Sequence, residues 1–333
     1  MNKVLVTGGA GYLGPIVAKA LERAGHVPVI LDSLVTGRAE FVGDRAFYRG
    51  DIADRDLLAR IVREHPEITS TVHMAALVSV PESVEKPATY YRENVAKSLV
   101  LFETLAELGR PDVVFSSSAS VYGFDPAFEV REDSAVAPLS PYARTKLMME
   151  QILRDLAAAG RVRAVILRYF NPIGADPDLE TGAHVVEPSH VLGRLISAAT
   201  GDGTFTITGT DYPTRDGTGL RDYIHTWDLA RAHAAAVGRF EEAVRAGDQG
   251  SAVFNLGTGD GVTVRELVAA FTSAFGAEVR TTEGPRRPGD AAGAFANVDR
   301  AREVLGWEAE LTLEDGIRSA LAWMQHRPTV LGY

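Results

Sequence analysis

The chain has 333 residues, of which 34 are Lys or Arg and 44 are Asp or Glu, for a formal net charge of −10, and it contains no cysteine. That length can bury one large core or two moderate ones, and the acidic balance argues against binding nucleic acid through bulk charge. Without cysteine there is no disulfide, no thiolate metal site and no cysteine nucleophile. No apolar run approaches the roughly 18 residues of a membrane span, and the N-terminus runs straight into a strand with no room for a signal peptide. A cytoplasmic protein with no metal and no membrane partner is expected.

Lys3-Val4-Leu5-Val6-Thr7 reads as a short buried strand. Gly8-Gly9-Ala10-Gly11-Tyr12-Leu13-Gly14 follows as a G-x-x-G-x-x-G turn, and a helix continues over 12–24 and closes at Gly25. Strand, glycine turn and helix form the context that a dinucleotide fingerprint requires. Gly8, Gly11 and Gly14 let the backbone approach a pyrophosphate, and the helix N-terminus favours its charge. A second strand, 27–31, ends in Asp32. A carboxylate there accepts from a ribose 2′-hydroxyl and repels a 2′-phosphate, which favours NAD over NADP. Further strands at 45–49, 70–74, 112–117 and 163–169 alternate with helices at 54–64, 88–108 and 142–159. This alternation predicts an α/β, Rossmann-type doubly wound parallel sheet.

The character changes after Asn171-Pro172. Residues 171–222 are rich in Gly, Pro, Asp and Thr, with one helical stretch near 188–200. Residues 228–246 read as helix and 253–256 as strand. Thr263 with Glu266 forms a capping box that starts a helix over 264–275, and Thr312 with Asp315 starts a last helix over 313–325. The expected division is an NAD-binding domain over 1–171, rejoined by 223–256, and a smaller substrate-binding α/β lobe from 172–222 with 257–333.

Two fragments carry the chemistry: Phe115-Ser116-Ser117-Ser118-Ala119-Ser120-Val121-Tyr122-Gly123, and Tyr142-Ala143-Arg144-Thr145-Lys146. Helix positions four apart share a face, so the phenol and the ammonium can reach a common point. Free tyrosine titrates near about 10, and a neighbouring lysine cation favours its phenolate. Such a tyrosine can take a proton from a sugar hydroxyl while hydride leaves for a nicotinamide.

With these pieces in place the chain resembles an extended short-chain dehydrogenase/reductase, and more narrowly the UDP-glucose (UDP-galactose) 4-epimerases. The likeness covers nearly the whole length. It rests on the glycine turn, Pro81–Pro87 with Tyr90–Val95, the serine run, Ser140–Lys146, Arg168–Gly174, Asp216–His225 and Arg286–Asp290. The resemblance implies that Tyr142 is the base for the 4-hydroxyl, that Lys146 bonds the nicotinamide ribose and depresses the phenol's pKa, and that Ser118 relays the proton. It implies that Gly11, Tyr12, Leu13, Asp32, Asp51, Ile52, Ala75, Asn94 and Tyr169 hold NAD. Asn171, His190, Arg221, Arg287 and Asp290 would hold the nucleotide diphosphate and its ribose, the arginines because guanidinium matches phosphate oxygens bidentately. A homodimer is implied, pairing helices 88–108 and 142–159. The alternative for Arg221 and Arg287 is a surface ion pair, and for His190 a helix-end histidine without a ligand. His225 reads as structural.

The chain departs from the family pattern at three places, the mildest being Ser33-Leu34 near the adenosine, where a hydroxyl replaces the amide of an Asp-Asn pair. Val78 stands where many members carry a lysine near the cofactor. Ala294 stands where a bulky tyrosine restricts the pocket at the sugar's C2 substituent, so N-acetylated UDP-hexoses are expected to fit. A sugar-nucleotide dehydratase would carry an acid just after Ser118, where this chain has Ala119 and Ser120. Epimerisation of UDP-glucuronate would use the same residues, although the acidic 174–187 segment offers no arginine for its carboxylate. A non-catalytic NAD sensor would not need Tyr142, Lys146 and Ser118 together.

Overall fold

A computed structural model describes residues 2–185, 188, 190–201, 203–286 and 291–333. Its centre is a seven-stranded, all-parallel sheet. Taken in chain order, the strands are β1 (Lys3–Thr7), β2 (Val27–Asp32), β3 (Ala46–Arg49), β4 (Ile68–His73), β5 (Asp112–Ser118), then Arg163–Tyr169 and Ser251–Leu256. From one edge to the other the order is Ser251–Leu256, Arg163–Tyr169, β5, β4, β1, β2, β3. The chain winds outward one way from β1 through β3 and the other way from β4. The crevice at that reversal, beyond the carboxyl ends of β1 and β4, is where such sheets take ligands.

Both faces of the sheet are covered, so its inner strands are buried at nearly every position rather than alternating between buried and exposed. One face packs Val4, Val6 and Ile30 against Ile16, Val17 and Leu21 of the helix Gly14–Arg23 (α1) and against the helix Thr226–Gly238. The other packs Leu5, Val113 and Ile166 against Leu58 and Ile61 of the helix Arg55–Glu64 (α2), and against the helices Lys97–Glu107 and Pro141–Ala158. A third core joins the helices Val191–Thr200, Val264–Phe275 and Leu313–Leu331. The expected capping boxes at Thr263 and Thr312 both form.

The expected helix over 88–108 is not one helix. The chain forms Val80–Glu85, Pro87–Tyr90, a π-helical turn over Tyr91–Ala96, and then Lys97–Glu107. Pro87 denies Lys86 a helical backbone, at φ −126° and ψ 54°. The π turn points Asn94 inward, where its amide bonds Leu77 O, Leu77 N and Thr145 Oγ1. The expected helix 228–246 breaks at Arg239 into Thr226–Gly238 and Phe240–Arg245. The last helix runs to Leu331, beyond the expected 325, with Pro328 inside it. Short strands escaped the sequence pattern because two to four residues show no periodicity. They include Asn171–Ile173 beside Tyr223–His225, and a four-stranded sheet of Val262–Thr263, Leu220–Arg221, Gly293–Ala296 and Glu129–Val130.

Candidate active site

The glycine turn is built so that its backbone faces an open crevice. Gly8 has φ +71°, and a Cβ there would lie 2.7 Å from Ala75 N; a Cβ at Gly14 would lie 2.4 Å from Gly8 O. Gly11 differs. Its added Cβ would meet only Gly8 O, at 3.4 Å, so it would project into the open crevice. Leu13 caps α1 without a side-chain bond, and no acid sits in the first turn. The free N–H groups and positive end of α1 therefore suit a pyrophosphate. Asp32 is buried, with Oδ2 accepting from Ala10 N at 3.0 Å and Oδ1 from Leu34 N at 2.8 Å. Those bonds fix the carboxylate and leave it lone pairs for ribose hydroxyls. The residues thus fit a dinucleotide.

The other expected cofactor residues have these places. Asp51 accepts from Ala53 N at 2.9 Å and from Lys97 Nζ at 2.5 Å, and Lys97 holds its carboxyl below the usual range against the opposing effect of burial. Ile52 is in the core beneath it. Tyr12 Oη donates to Gly174 O at 2.6 Å, and burial pushes the phenol up. Tyr169 packs edge-on to His233 with ring centroids 5.7 Å apart, bonds Ser116, and is also pushed up by burial. Lys19 binds Asp176 at 2.8 Å, Asp178 at 2.9 Å and Glu180 at 2.7 Å, so these three acids tie their segment to α1.

Ser118 ends β5, and Tyr142 opens the helix Pro141–Ala158, which Ser140 caps through Ala143 N. The Ser118 hydroxyl and the Tyr142 phenol are hydrogen-bonded. Ser118 Oγ already accepts from Ser120 Oγ at 2.9 Å and Ser120 N at 3.2 Å, so its own proton is the one aimed at Tyr142. Lys146, one turn along, donates to Ser116 O at 2.7 Å and lies 5.9 Å from the Tyr142 ring centroid.

The expected electrostatics of this pair need correction. Burial raises the Tyr142 phenol to about 12, with only Ser118 pulling it down. Burial lowers Lys146 to about 7, with Glu150 opposing. Lys146 is therefore neutral in the range where Tyr142 ionises. In the protein alone it does not depress the phenol, contrary to the sequence expectation.

The substrate-side residues divide. Ala294 lies beside Arg221 in the strand register and packs with Ala119 and Leu147 on the Val121, Tyr122 and Phe170 cluster, next to the reacting groups. Arg221 donates to Leu220 O at 2.7 Å, Ala292 O at 3.3 Å and Ala291 O at 3.2 Å, so it ties this segment in place. Asn171 is exposed on its short strand. His190 is a helix cap, Nδ1 accepting from Gly193 N at 3.1 Å, and lines a small apolar cavity with Tyr12, Gly174 and Trp323. Arg287 and Asp290 lie outside the described residues. His225 is structural as expected, bonding Trp227 N and Ser319 Oγ. Sequence reasoning missed the groups behind the site: Ser116, Ser117, Glu150, Arg168 and His233. One signal was available, a charged residue (Arg168) closing the apolar run Ala164–Leu167.

A sequence model described as the NAD dependent epimerase/dehydratase family matches residues 4–257. The chain belongs to that family. It is 45% identical over 324 residues to the UDP-glucose 4-epimerase of Azospirillum brasilense, covering 96% of this chain and 91% of that one. Among solved structures it is similar to the Stenotrophomonas maltophila UDP-glucose 4-epimerase with bound NAD and formylated UDP-arabinopyranose, at TM-score 0.93 and 38% identity over 99% of both chains. It is also similar to the Bifidobacterium longum enzyme in complex with NAD+ and UDP, at TM-score 0.90 and 35% identity, over 99% of this chain and 100% of that one. No helix among the described residues is long and apolar enough to cross a membrane.

Proposed function

We propose that this chain is an NAD-dependent 4-epimerase of UDP-hexoses, interconverting UDP-glucose and UDP-galactose through a 4-keto sugar. The observation that supports this most is the Ser118–Tyr142 hydrogen bond at the carboxyl end of β5, on the same edge of the sheet as the glycine cradle. Bound NAD would supply the hydride acceptor and donor for sugar C4 and the positive charge of its oxidised nicotinamide. The chain's own residues move the proton. Tyr142 takes it from O4, Ser118 bonds that oxygen and relays the proton, and Lys146 holds the cofactor ribose. Asp32 and the glycine turn hold the adenosine and pyrophosphate, while Asn171, His190, Arg221, Arg287 and Asp290 hold the UDP and leave the sugar free to turn. Ala119 and Ser120 put no acid beside Ser118, so elimination of water lacks its proton donor. Ala294 leaves room for an N-acetyl group.

We assign NAD to residues 1–171 with 223–256, and the sugar nucleotide to 172–222 with 257–333. The working unit is a cytoplasmic homodimer, which light scattering checks. The deciding experiment incubates the purified protein with UDP-galactose in D₂O and follows C4 by proton NMR. Inversion with the C4 hydrogen retained supports epimerisation; deuterium at C5 or loss of water identifies a dehydratase instead.

A further inference from the structure

The reacting groups rest on a buried charged pair that the steps above do not use. Glu150 follows Lys146 by one helical turn. Both Glu150 and Arg168 are almost wholly buried. Arg168 Nη2 donates to Glu150 Oε2 at 2.6 Å and Nε to Oε1 at 2.9 Å. The rest of the guanidinium is satisfied by Tyr122 Oη and Glu132 O, each at 3.0 Å. On its other side Glu150 Oε1 accepts from Ser117 Oγ at 2.5 Å. Ser117 sits between Ser116, whose carbonyl holds Lys146, and Ser118, whose hydroxyl bonds Tyr142. Across the strands Ser117 pairs with Arg168 itself. One carboxylate thus sets the strand end that presents both neighbours.

The same carboxylate answers a charge. The chain has five lysines: Lys3, Lys19, Lys86, Lys97 and Lys146. Four have a carboxylate in salt-bridge contact: Lys3 with Glu67 at 3.3 Å, Lys19 with Asp176 at 2.8 Å, Lys86 with Glu82 at 3.1 Å, and Lys97 with Asp51 at 2.5 Å. Lys146 has none among the described residues. The Phe115 ring lies 5.1 Å from it and the Tyr142 ring 5.9 Å; Tyr169 reaches Ser116, whose carbonyl the lysine bonds, and two imidazoles near that strand are kept neutral by burial. These are His73 on β4, lowered to about 3, and His233 behind Ser116, lowered to about 4. Arg168 and Arg154 sit on Glu150, the latter at 3.6 Å. Glu150 is the one anion of this set, and it opposes the loss of the Lys146 proton.

We propose that Glu150 is a positioning residue of the reaction: clamped by Arg168, it sets the Ser116–Ser118 strand end through Ser117 and supplies a countercharge that opposes the loss of the Lys146 proton. The kinetic part of this inference rests on the epimerase reading.

The test labels the lysines with ¹⁵N and follows their Nζ titrations by NMR, with Lys146→Met assigning the signal. It is joined to a pH profile of kcat on UDP-galactose. Glu150→Gln should move the Lys146 titration down by about one unit or more, carry the alkaline limb of kcat with it, and leave KM within about twofold. Glu150→Gln strands a buried guanidinium and can fail to fold; the double variant Glu150→Gln/Arg168→Met removes it, and a downward shift is still expected, smaller because the guanidinium's positive charge goes too. Ser117→Ala isolates the positioning role: kcat should fall about tenfold at every pH, with the Lys146 titration unmoved. An unmoved Lys146 titration in whichever Glu150 variant folds, or wild-type kcat in Ser117→Ala, overturns the proposal. Wild-type protein inactive on UDP-hexoses would sink the epimerase reading instead, while the NMR titration, which needs no substrate, still decides the charge role of Glu150.

Discussion

Removing and restoring NAD+ should move the Tyr142 phenol by several pH units. In the protein alone burial holds it at about 12. Lys146, titrating at about 7, carries no charge there to pull it back. A positive nicotinamide ring brought to contact distance, roughly 4 Å, would contribute about 4 kcal/mol at an effective dielectric of about 20. At roughly 1.4 kcal/mol per unit this lowers the phenol by about 3 units, to about 9. The sign follows from linkage. NAD+ binding that lowers the pKa expels a proton between about 9 and about 12, so NAD+ must bind more tightly as pH rises through that window. The assay is phenolate absorbance in the near ultraviolet, as a difference between wild type and Tyr142→Phe, which isolates one of the ten tyrosines. A phenol that ionises near or below about 10 without NAD+ would refute the burial argument. A phenol that NAD+ leaves unmoved would refute the charge argument.

Lys146→Met should abolish turnover yet raise the melting temperature. Burying this ammonium costs stability fully below the folded pKa of about 7, and the cost fades as pH rises toward the ordinary lysine value of 10.5; the gain in the variant should therefore shrink from neutral to alkaline pH, and a gain that grows would contradict the sign. Gly11→Ala should leave the melting temperature of NAD-free protein unchanged, since its Cβ meets only Gly8 O at 3.4 Å. It should weaken NAD+ by about tenfold or more, because the backbone's close approach to the pyrophosphate is lost; calorimetric titration with wild-type affinity would place the pyrophosphate elsewhere. Ala294→Tyr should cut turnover of UDP-N-acetylhexosamine relative to UDP-galactose by at least about tenfold, and an unchanged ratio would remove Ala294 from the sugar pocket.

What sequence reasoning could reach tracks how local each signal is. The strand, glycine turn and helix over residues 3–24 form one contiguous pattern, and α1 begins within two residues of its expected start. The turn inside 88–108 is different. Pro87 marks a break, but that Asn94 turns inward depends on Leu77 and Thr145, which only tertiary structure brings near. Glu150 looks like an ordinary surface charge in one dimension, and Arg168 shows only as a charge closing an apolar run, because the partners that make their burial tolerable lie eighteen positions apart on a helix and a strand. Yet a trace was present. Four positions after Lys146, on the same helix face, stands an acid. The corrected electrostatics give that acid its meaning. A buried lysine titrating at about 7 can serve a reaction near neutral pH only if something nearby holds its proton. The Tyr-x-x-x-Lys spacing therefore describes an incomplete device, and Tyr-x-x-x-Lys-x-x-x-Glu, anchored through Arg168 to the strand that carries Tyr169, is the unit that ties the reacting pair to the sheet.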